Sequence, residues 1–237
     1  LLKWLPSAQQ INLADERTRE ALIFLATARG GGPLPLLLHN GPEYAIPSTD
    51  PSTAAYDCLS WSWRDRILNS LRGADKWYTP DTKGVEENLK AGLGAGAILI
   101  FAHCGLPYFA SNRLEQIFER SEFKTVCRYL DDFPADAVEG GRCYADVSAC
   151  VTPFREGYFP ALAKLPAKSL LFGSDFPTPV FELSADLGEM MEDFRAMLGG
   201  QWERIVVPED NLIDVNRREL EHFFHDHPMF TNFDALL

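Results

Sequence analysis

The sequence has few histidines, few cysteines and no long apolar run. Only five of its 237 residues are histidine and five are cysteine. The cysteines are scattered, odd in number and without a Cys-x-x-Cys pair, which favours a reducing cytoplasm over a disulfide framework. No apolar stretch approaches the ~20 residues of a membrane span, and no signal peptide is visible. We therefore expect a cytoplasmic protein with no membrane partner.

Basic residues are also scarce relative to acidic ones. The chain has 22 Lys and Arg against 34 Asp and Glu, a net charge of −12, which argues against a nucleic-acid partner because phosphates would repel it. The hydrophobic share of 46% and the charged share of 24% are typical of a globular protein. The sequence thus favours a small-molecule partner. It is compatible with a homo-oligomer and does not define the oligomeric state.

Three apolar stretches end in side chains that can bind a metal. Each is too short for a buried helix and is followed by glycine, so each predicts a strand buried on both faces. The stretches are residues 34–38 before His39, 97–102 before His103, and 169–172 before Gly173-Ser174-Asp175. A single histidine there is usually structural, and a single aspartate usually caps a helix. Two histidines and one aspartate at matching strand ends predict a metal site, because the carboxyl ends of parallel strands meet at one edge.

Helical patterns separate these strands. We predict helices from Asn12 or Asp15 to about 29, over 85–93, within 106–132, from Thr152 to about 165, over 182–198 and over 211–224, with a further strand over 143–149. Strands alternating with helices indicate right-handed β-α-β units and a parallel sheet. The predicted fold class is therefore α/β.

The motifs AHCG and LLFGSDFP, with the strand-end His39, resemble the amidohydrolase superfamily, in its decarboxylase- and lactonase-like branch. The resemblance covers about residues 2–176. It implies a TIM-type (β/α)8 barrel whose fifth and sixth strands end in His39 and His103 and whose eighth ends in Asp175. Such a barrel typically needs about 250 residues. We therefore expect residues 1–237 to form a single domain, the C-terminal portion of a barrel whose N-terminal strands are missing from this chain.

The resemblance also implies the chemistry. His39, His103 and Asp175 would bind a divalent metal, foremost zinc, with manganese or iron as alternatives and one or two ions. Asp175 would be the general base. Lys3 would end the preceding strand, one helix before His39, where related enzymes carry a carbamate that bridges two metals. Alternatively, Lys3 is a cation that binds a substrate carboxylate, or a surface lysine.

One expected ligand pair has no match. The superfamily's His-x-His pair on the first strand is not found before His39, so we expect it in a portion preceding Leu1. His225-Asp226-His227 has the letter pattern, but its polar context, together with His222, predicts a solvated tail.

Residues 40–84 predict a lid-like insertion over the barrel mouth. Within it, Glu43, Trp61 and Trp63 are candidate substrate-binding residues. The alternatives are a solvated loop glutamate and tryptophans that only pack. We expect Cys104 to be a small core residue rather than a nucleophile. Asp146 and Ser148 share one face of their strand, which is either the pocket or the outer wall.

The sequence predicts a metal-dependent hydrolase that cleaves a C–N or C–O bond in an amide, lactone or ester through a metal-activated water. The alternatives are a metal-dependent decarboxylase of a small carboxylic acid and a non-catalytic barrel relic.

Overall fold

A five-stranded parallel sheet organises the chain. The computed structural model describes residues 1–27, 32–40, 59, 81–106, 121–150, 155, 158–173 and 212–236. Within them the strands are β1 (Leu2–Trp4), β2 (Leu36–Leu38), β3 (Ile98–Phe101), β4 (Arg142–Asp146) and β5 (Leu170–Leu171). Each strand pairs in parallel with the next along the chain, so the spatial order is β1-β2-β3-β4-β5. The predicted mixed α/β class with a parallel sheet is confirmed.

This strand order has a topological consequence. Parallel connections are almost always right-handed, so successive crossovers in one direction place their helices on the same face of the sheet. A doubly wound sheet instead reverses direction at a switch point and has helices on both faces. The observed order shows no reversal among these five strands.

Six helices lie in the described residues. They are α1 (Pro6–Gln9), α2 (Glu16–Thr27), α3 (Thr82–Gly94), α4 (Ser121–Asp132), α5 (Phe159–Leu162) and α6 (Leu212–Phe223). Short 3₁₀ segments occur at Ala167–Ser169, Pro228–Phe230 and Asn232–Leu236, and a turn spans Ala102–Gly105. Among the residues described, no helix combines the length and the apolar run that a membrane span needs.

Local side chains explain where two of the helices begin. The carboxylate of Asp15, one of the two starting positions that the sequence offered with Asn12, accepts from Arg17 N at 2.8 Å at the start of α2. The carboxylate of Asp81 accepts from Gly84 N at 2.9 Å and caps α3. Each interaction satisfies a backbone N–H that has no partner within its own helix.

Several element lengths differ from the sequence prediction. The strand expected to run to Asp175 is β5, which ends at Leu171. The strand expected over 143–149 ends at Asp146. Of the helix expected from Thr152, the described residues show only α5. The predicted helix over 182–198 lies outside the described residues, as does most of the predicted lid-like insertion over 40–84.

The sheet is covered on both faces. Leu36, Leu38, Leu99 and Phe101 are at most 1% exposed and belong to the main hydrophobic core with α2, α3 and α4. The opposite face carries a second cluster of Ile98, Ile100, Tyr144, Leu171 and Leu236. All four residues of β3 are therefore buried, as its continuous apolar run predicted.

The C-terminal segment packs against β5. Met229 O accepts from Phe172 N at 3.0 Å, and Asn232 Nδ2 donates to Leu170 O at 2.9 Å. His222 and His225 are exposed, whereas His227 is half-buried and its Nδ1 accepts from Met229 N at 3.1 Å. The prediction that these histidines are solvated is therefore confirmed for His222 and His225 and wrong for His227.

Candidate functional site

The two predicted histidine ligands lie next to each other. His39 directly follows β2, and His103 lies in the Ala102–Gly105 turn that directly follows β3. Because β2 and β3 pair in parallel, both positions are at the carboxyl edge of the sheet. The imidazole centroids are 5.4 Å apart, with an interplanar angle of 75°.

A left-handed turn directs His103 to this position. Strand alternation would place residue 103 on the side of Phe101, toward the helices. Instead His103 (φ 54°, ψ 26°) and Cys104 (φ 53°, ψ 22°) adopt left-handed backbone conformations. Each costs a non-glycine residue about 1–2 kcal/mol, and such strain is concentrated at functional sites. The turn ends the alternation and lets the ring of His103 meet that of His39.

Two residues, one at the end of β4 and one in the turn after it, hold His103. Its Nδ1 lies 2.9 Å from Ser148 O and 2.9 Å from Ser148 Oγ. Ser148 Oγ donates to Asp146 Oδ1. Asp146 Oδ1 also accepts from His103 N at 3.2 Å and from Ser148 N at 2.8 Å. The network is buried, because His103 is 9% exposed, Asp146 is 6% exposed and Ser148 is 5% exposed.

The network shows where Asp146 and Ser148 lie. The sequence placed both on one face of their strand and left open whether that face is the pocket or the outer wall, whereas β4 ends at Asp146 and Ser148 lies in the turn that follows. Their hydrogen bonds place both residues against His103.

The segment that leads to Asp175 begins beside this network. A Cβ atom built on Gly173 would lie 3.1 Å from Ser148 Cβ and 3.6 Å from Asp146 Cγ, so the backbone of Gly173 lies close to both residues. Asn216 Nδ2 on α6 donates to Gly173 O at 3.4 Å. Asp175 itself, two residues later, lies outside the described residues, as do Glu43, Trp61 and Trp63.

Lys3 lies on the same sheet face as His39, two residues further from the carboxyl edge of the sheet. It is the middle residue of β1 and pairs in register with Leu37, two residues before His39. Its side chain is exposed. The sequence placed Lys3 at the end of its strand, whereas the strand continues to Trp4.

The geometry of the histidine pair fits a shared metal ion. Two imidazole nitrogens about 2.0–2.1 Å from a tetrahedral zinc place their ring centroids roughly 5 Å apart. The observed separation is 5.4 Å. Because a carbonyl oxygen only accepts, the contact with Ser148 O puts the proton of neutral His103 on Nδ1 and the lone pair on Nε2. The pair could therefore supply two nitrogen donors to a metal ion.

A complete ligand set is not found within the described residues. They contain no group of three or more His, Cys, Asp or Glu side chains arranged to hold a metal ion. A third ligand would have to come from the remaining residues, which include Asp175.

The thiol of Cys104 is a structural group. Cys104 is fully buried, and its Sγ donates to Asp146 O at 3.2 Å. Burial raises the pKa of this thiol well above its ordinary value. A thiol held in the protonated form is a poor nucleophile, which supports the predicted role as a core residue.

Two further residues at this edge were not singled out from the sequence. Arg155 is 5% exposed and donates to Ala149 O at 2.7 Å and to Leu106 O at 3.4 Å, which ties together the segments that follow β4 and β3. Asn40 is 5% exposed, and its amide has no hydrogen-bond partner among the described residues. Asn40 could have been found from the sequence, because it directly follows His39. Nothing in the sequence indicated Arg155.

Comparison with protein-family models, with curated proteins and with solved structures found no match to this chain.

Proposed function

We propose that the chain is a metal-dependent hydrolase of the amidohydrolase type, forming the C-terminal part of a TIM-type barrel that acts in the cytoplasm on a small amide, lactone or ester. The observation that carries the proposal is the His39–His103 pair, with centroids 5.4 Å apart at the carboxyl edge of a parallel sheet. The unreversed strand order supports the barrel, because consecutive barrel strands are neighbours in this way.

The protein groups have distinct roles in this proposal. His39 and His103 bind a divalent metal, foremost zinc, and Asp175 completes the ligand set. When bound, the metal supplies Lewis acidity and a water whose pKa is lowered to about 7. The carboxylate of Asp175 accepts a proton from the attacking water. Glu43, Trp61 and Trp63 contact the substrate.

Lys3 has a separate role in the proposal. Its side chain reaches the mouth from one step below His39 and, as a carbamate, binds a second metal. The shared sheet face of Lys3, Leu37 and His39 supports this role.

Metal analysis of variants tests the proposal. Native protein, His39→Ala, His103→Ala and, as a control, His222→Ala are purified without chelator and analysed by atomic emission for zinc, manganese and iron. His222 is exposed and lies outside the candidate site. Native protein and His222→Ala should bind metal, and the other two variants should lose it. Equal metal content in all four proteins would refute the metal site.

A substrate panel then tests the reaction. Lactones, amides, esters and aromatic carboxylates are assayed before and after chelation of the metal. Chelator-sensitive hydrolysis supports the proposal, whereas release of carbon dioxide without hydrolysis would identify a decarboxylase instead.

A further inference from the structure

Ser148 and Asp146 hold the ring of His103 from the side opposite to its Nε2. We propose that they are positioning residues, which fix the Nδ1–H tautomer of His103 and couple the charge of Asp146 to its ring through the Ser148 hydroxyl. The consequence for metal binding rests on the proposed function, whereas the consequence for the tautomer does not.

The direction of each hydrogen bond follows from the atoms involved. Ser148 O lies 2.9 Å from His103 Nδ1 and can only accept, so the imidazole proton is on Nδ1. Ser148 Oγ donates its own proton to Asp146 Oδ1 and therefore offers a lone pair to the same Nδ1–H. The result is a directed chain from imidazole to hydroxyl to carboxylate.

Asp146 is anchored independently of this hydroxyl. Its Oδ1 accepts from the backbone N–H groups of His103 and Ser148, at 3.2 and 2.8 Å. Nδ1 of His103 and Oδ1 of Asp146 are themselves 4.0 Å apart, which is too long for a direct hydrogen bond. The Ser148 hydroxyl is thus the link between the two side chains, and its removal leaves the carboxylate in place.

Close packing restricts the side chain at position 148. A Cβ atom on Gly173 would lie 3.1 Å from Ser148 Cβ, so Gly173 packs directly against this serine. A larger residue at 148 would displace Gly173. Ser148→Ala is therefore the appropriate substitution, since it removes the hydroxyl and adds no volume.

Buried networks of this kind set the properties of a metal-binding histidine. A partner on the second ring nitrogen fixes the tautomer and the ring orientation, and its loss typically costs roughly 10- to 100-fold in metal affinity. All three residues here are less than a tenth exposed, so protein groups determine the state of the ring.

The first experiment observes the tautomer in metal-free protein. Two-bond ¹H–¹⁵N correlation spectra of uniformly labelled protein report which ring nitrogen of each histidine carries the proton, and loss of one signal set in His103→Gln assigns that residue. Native His103 should be the Nδ1–H tautomer. Its Nδ1 resonance should shift in Ser148→Ala and in Asp146→Asn.

Tyr144→Phe is the matched control for this experiment. Tyr144 lies on the same strand as Asp146, and its hydroxyl donates to Ala135 O at 3.3 Å. This variant should leave the His103 resonances unchanged. An Nε2–H tautomer in native protein, or equal shifts in all three variants, would overturn the inference.

The second experiment measures zinc affinity by competition with a chromophoric chelator. Ser148→Ala and Asp146→Asn should each weaken binding by roughly 10- to 100-fold. The double variant should be no weaker than the weaker single variant, because both changes interrupt one chain. Fully additive losses would overturn the coupling, since they would mean that the two residues act independently.

The two experiments separate this inference from the proposed function. Native protein with the Nδ1–H tautomer, shifted in both variants, but with no zinc affinity would refute the metal site and leave the positioning of His103 supported. Asp146→Asn keeps an oxygen for both backbone donors, so it remains informative if Ser148→Ala fails to fold.

Discussion

The imidazole rings of His39 and His103 meet edge to face, 5.4 Å apart between centroids, although 63 residues separate them in the chain. Parallel pairing of β2 with β3 brings both positions to the same edge of the sheet. The left-handed backbone at His103 and Cys104 then turns the second ring toward the first. The contact therefore depends on strand register and on a strained turn together.

Replacement of Lys3 by alanine tests the carbamate. If a carbamate on Lys3 binds a second metal, Lys3→Ala should lose metal and activity, and bicarbonate should promote reconstitution of the native apoprotein. Metal content by atomic emission is the measurement. Lys83→Ala is the control, because Lys83 is an exposed lysine on α3 whose side chain is 87% accessible. Full metal content in Lys3→Ala would exclude the bridging role.

Two glycines of α3 should respond oppositely to alanine. A Cβ atom on Gly92 would lie 2.8 Å from Leu22 Cβ on α2, so the two helices must move apart, at a cost of about 1–3 kcal/mol. A Cβ atom on Gly94 would meet no atom within 4 Å. At Gly94, alanine should raise the free energy of unfolding by about 0.5–1 kcal/mol, because it reduces the conformational entropy of the unfolded chain.

Urea denaturation of the two variants measures this difference. Gly92→Ala should lower the free energy of unfolding and Gly94→Ala should raise it. Equal effects at both positions would contradict the close contact between α2 and α3.

The sequence predicted the sheet well because its determinants are local. Continuous apolar runs located β2 and β3, and the alternatives Asn12 and Asp15 located the start of α2 to within a few residues. The surroundings of His103 were not predictable in the same way. The position of Asp146 beside His103 depends on the pairing of β4 with β3, and that of Ser148 depends on the turn after β4. The left-handed backbone at His103 and Cys104 could not be predicted from the sequence AHCG, because neither residue is glycine.

The position of Lys3 shows the same limitation. Helical spacing correctly placed it on the strand before β2, but the end of that strand is set by Trp4, which is 9% exposed and packs in the main core. The register with Leu37 is a tertiary property, so Lys3 lies one step below His39 rather than beside it.

His227 should make part of the stability dependent on pH. Its Nδ1 accepts from Met229 N, which requires that this nitrogen is unprotonated, and burial lowers the pKa of His227 below its ordinary value. The unfolded chain then binds the proton more readily than the folded protein. The contribution is therefore present above the ordinary histidine pKa of about 6.5 and is lost as the pH falls through the lower folded-state pKa.

Replacement of His227 by asparagine tests this contribution. An amide oxygen can accept from the same backbone N–H without titrating, so His227→Asn should show a smaller loss of unfolding free energy between neutral and acidic pH. His222→Asn, at an exposed position, should retain the native pH dependence. An identical pH dependence in native protein and His227→Asn would refute the role of His227.

Asp175→Asn tests the proposed general base. Asparagine keeps the shape of aspartate and still offers an oxygen to a metal, but it cannot accept the proton of the attacking water. The variant should fold normally and lose roughly 10²- to 10⁴-fold in kcat, the usual contribution of general base catalysis. The measurement is turnover on whichever substrate the panel of lactones, amides, esters and carboxylates identifies.

A true helix cap provides the control for Asp175. Asp81 caps α3 by accepting from Gly84 N at 2.9 Å, and asparagine caps a helix about as well as aspartate does. Asp81→Asn should therefore change neither stability nor turnover by much. If Asp175 were also only a cap, Asp175→Asn would behave like Asp81→Asn, so the two hypotheses differ by orders of magnitude in one assay. Native turnover in Asp175→Asn would refute the general-base proposal. The close approach of Gly173 to Asp146 would then contribute only to packing.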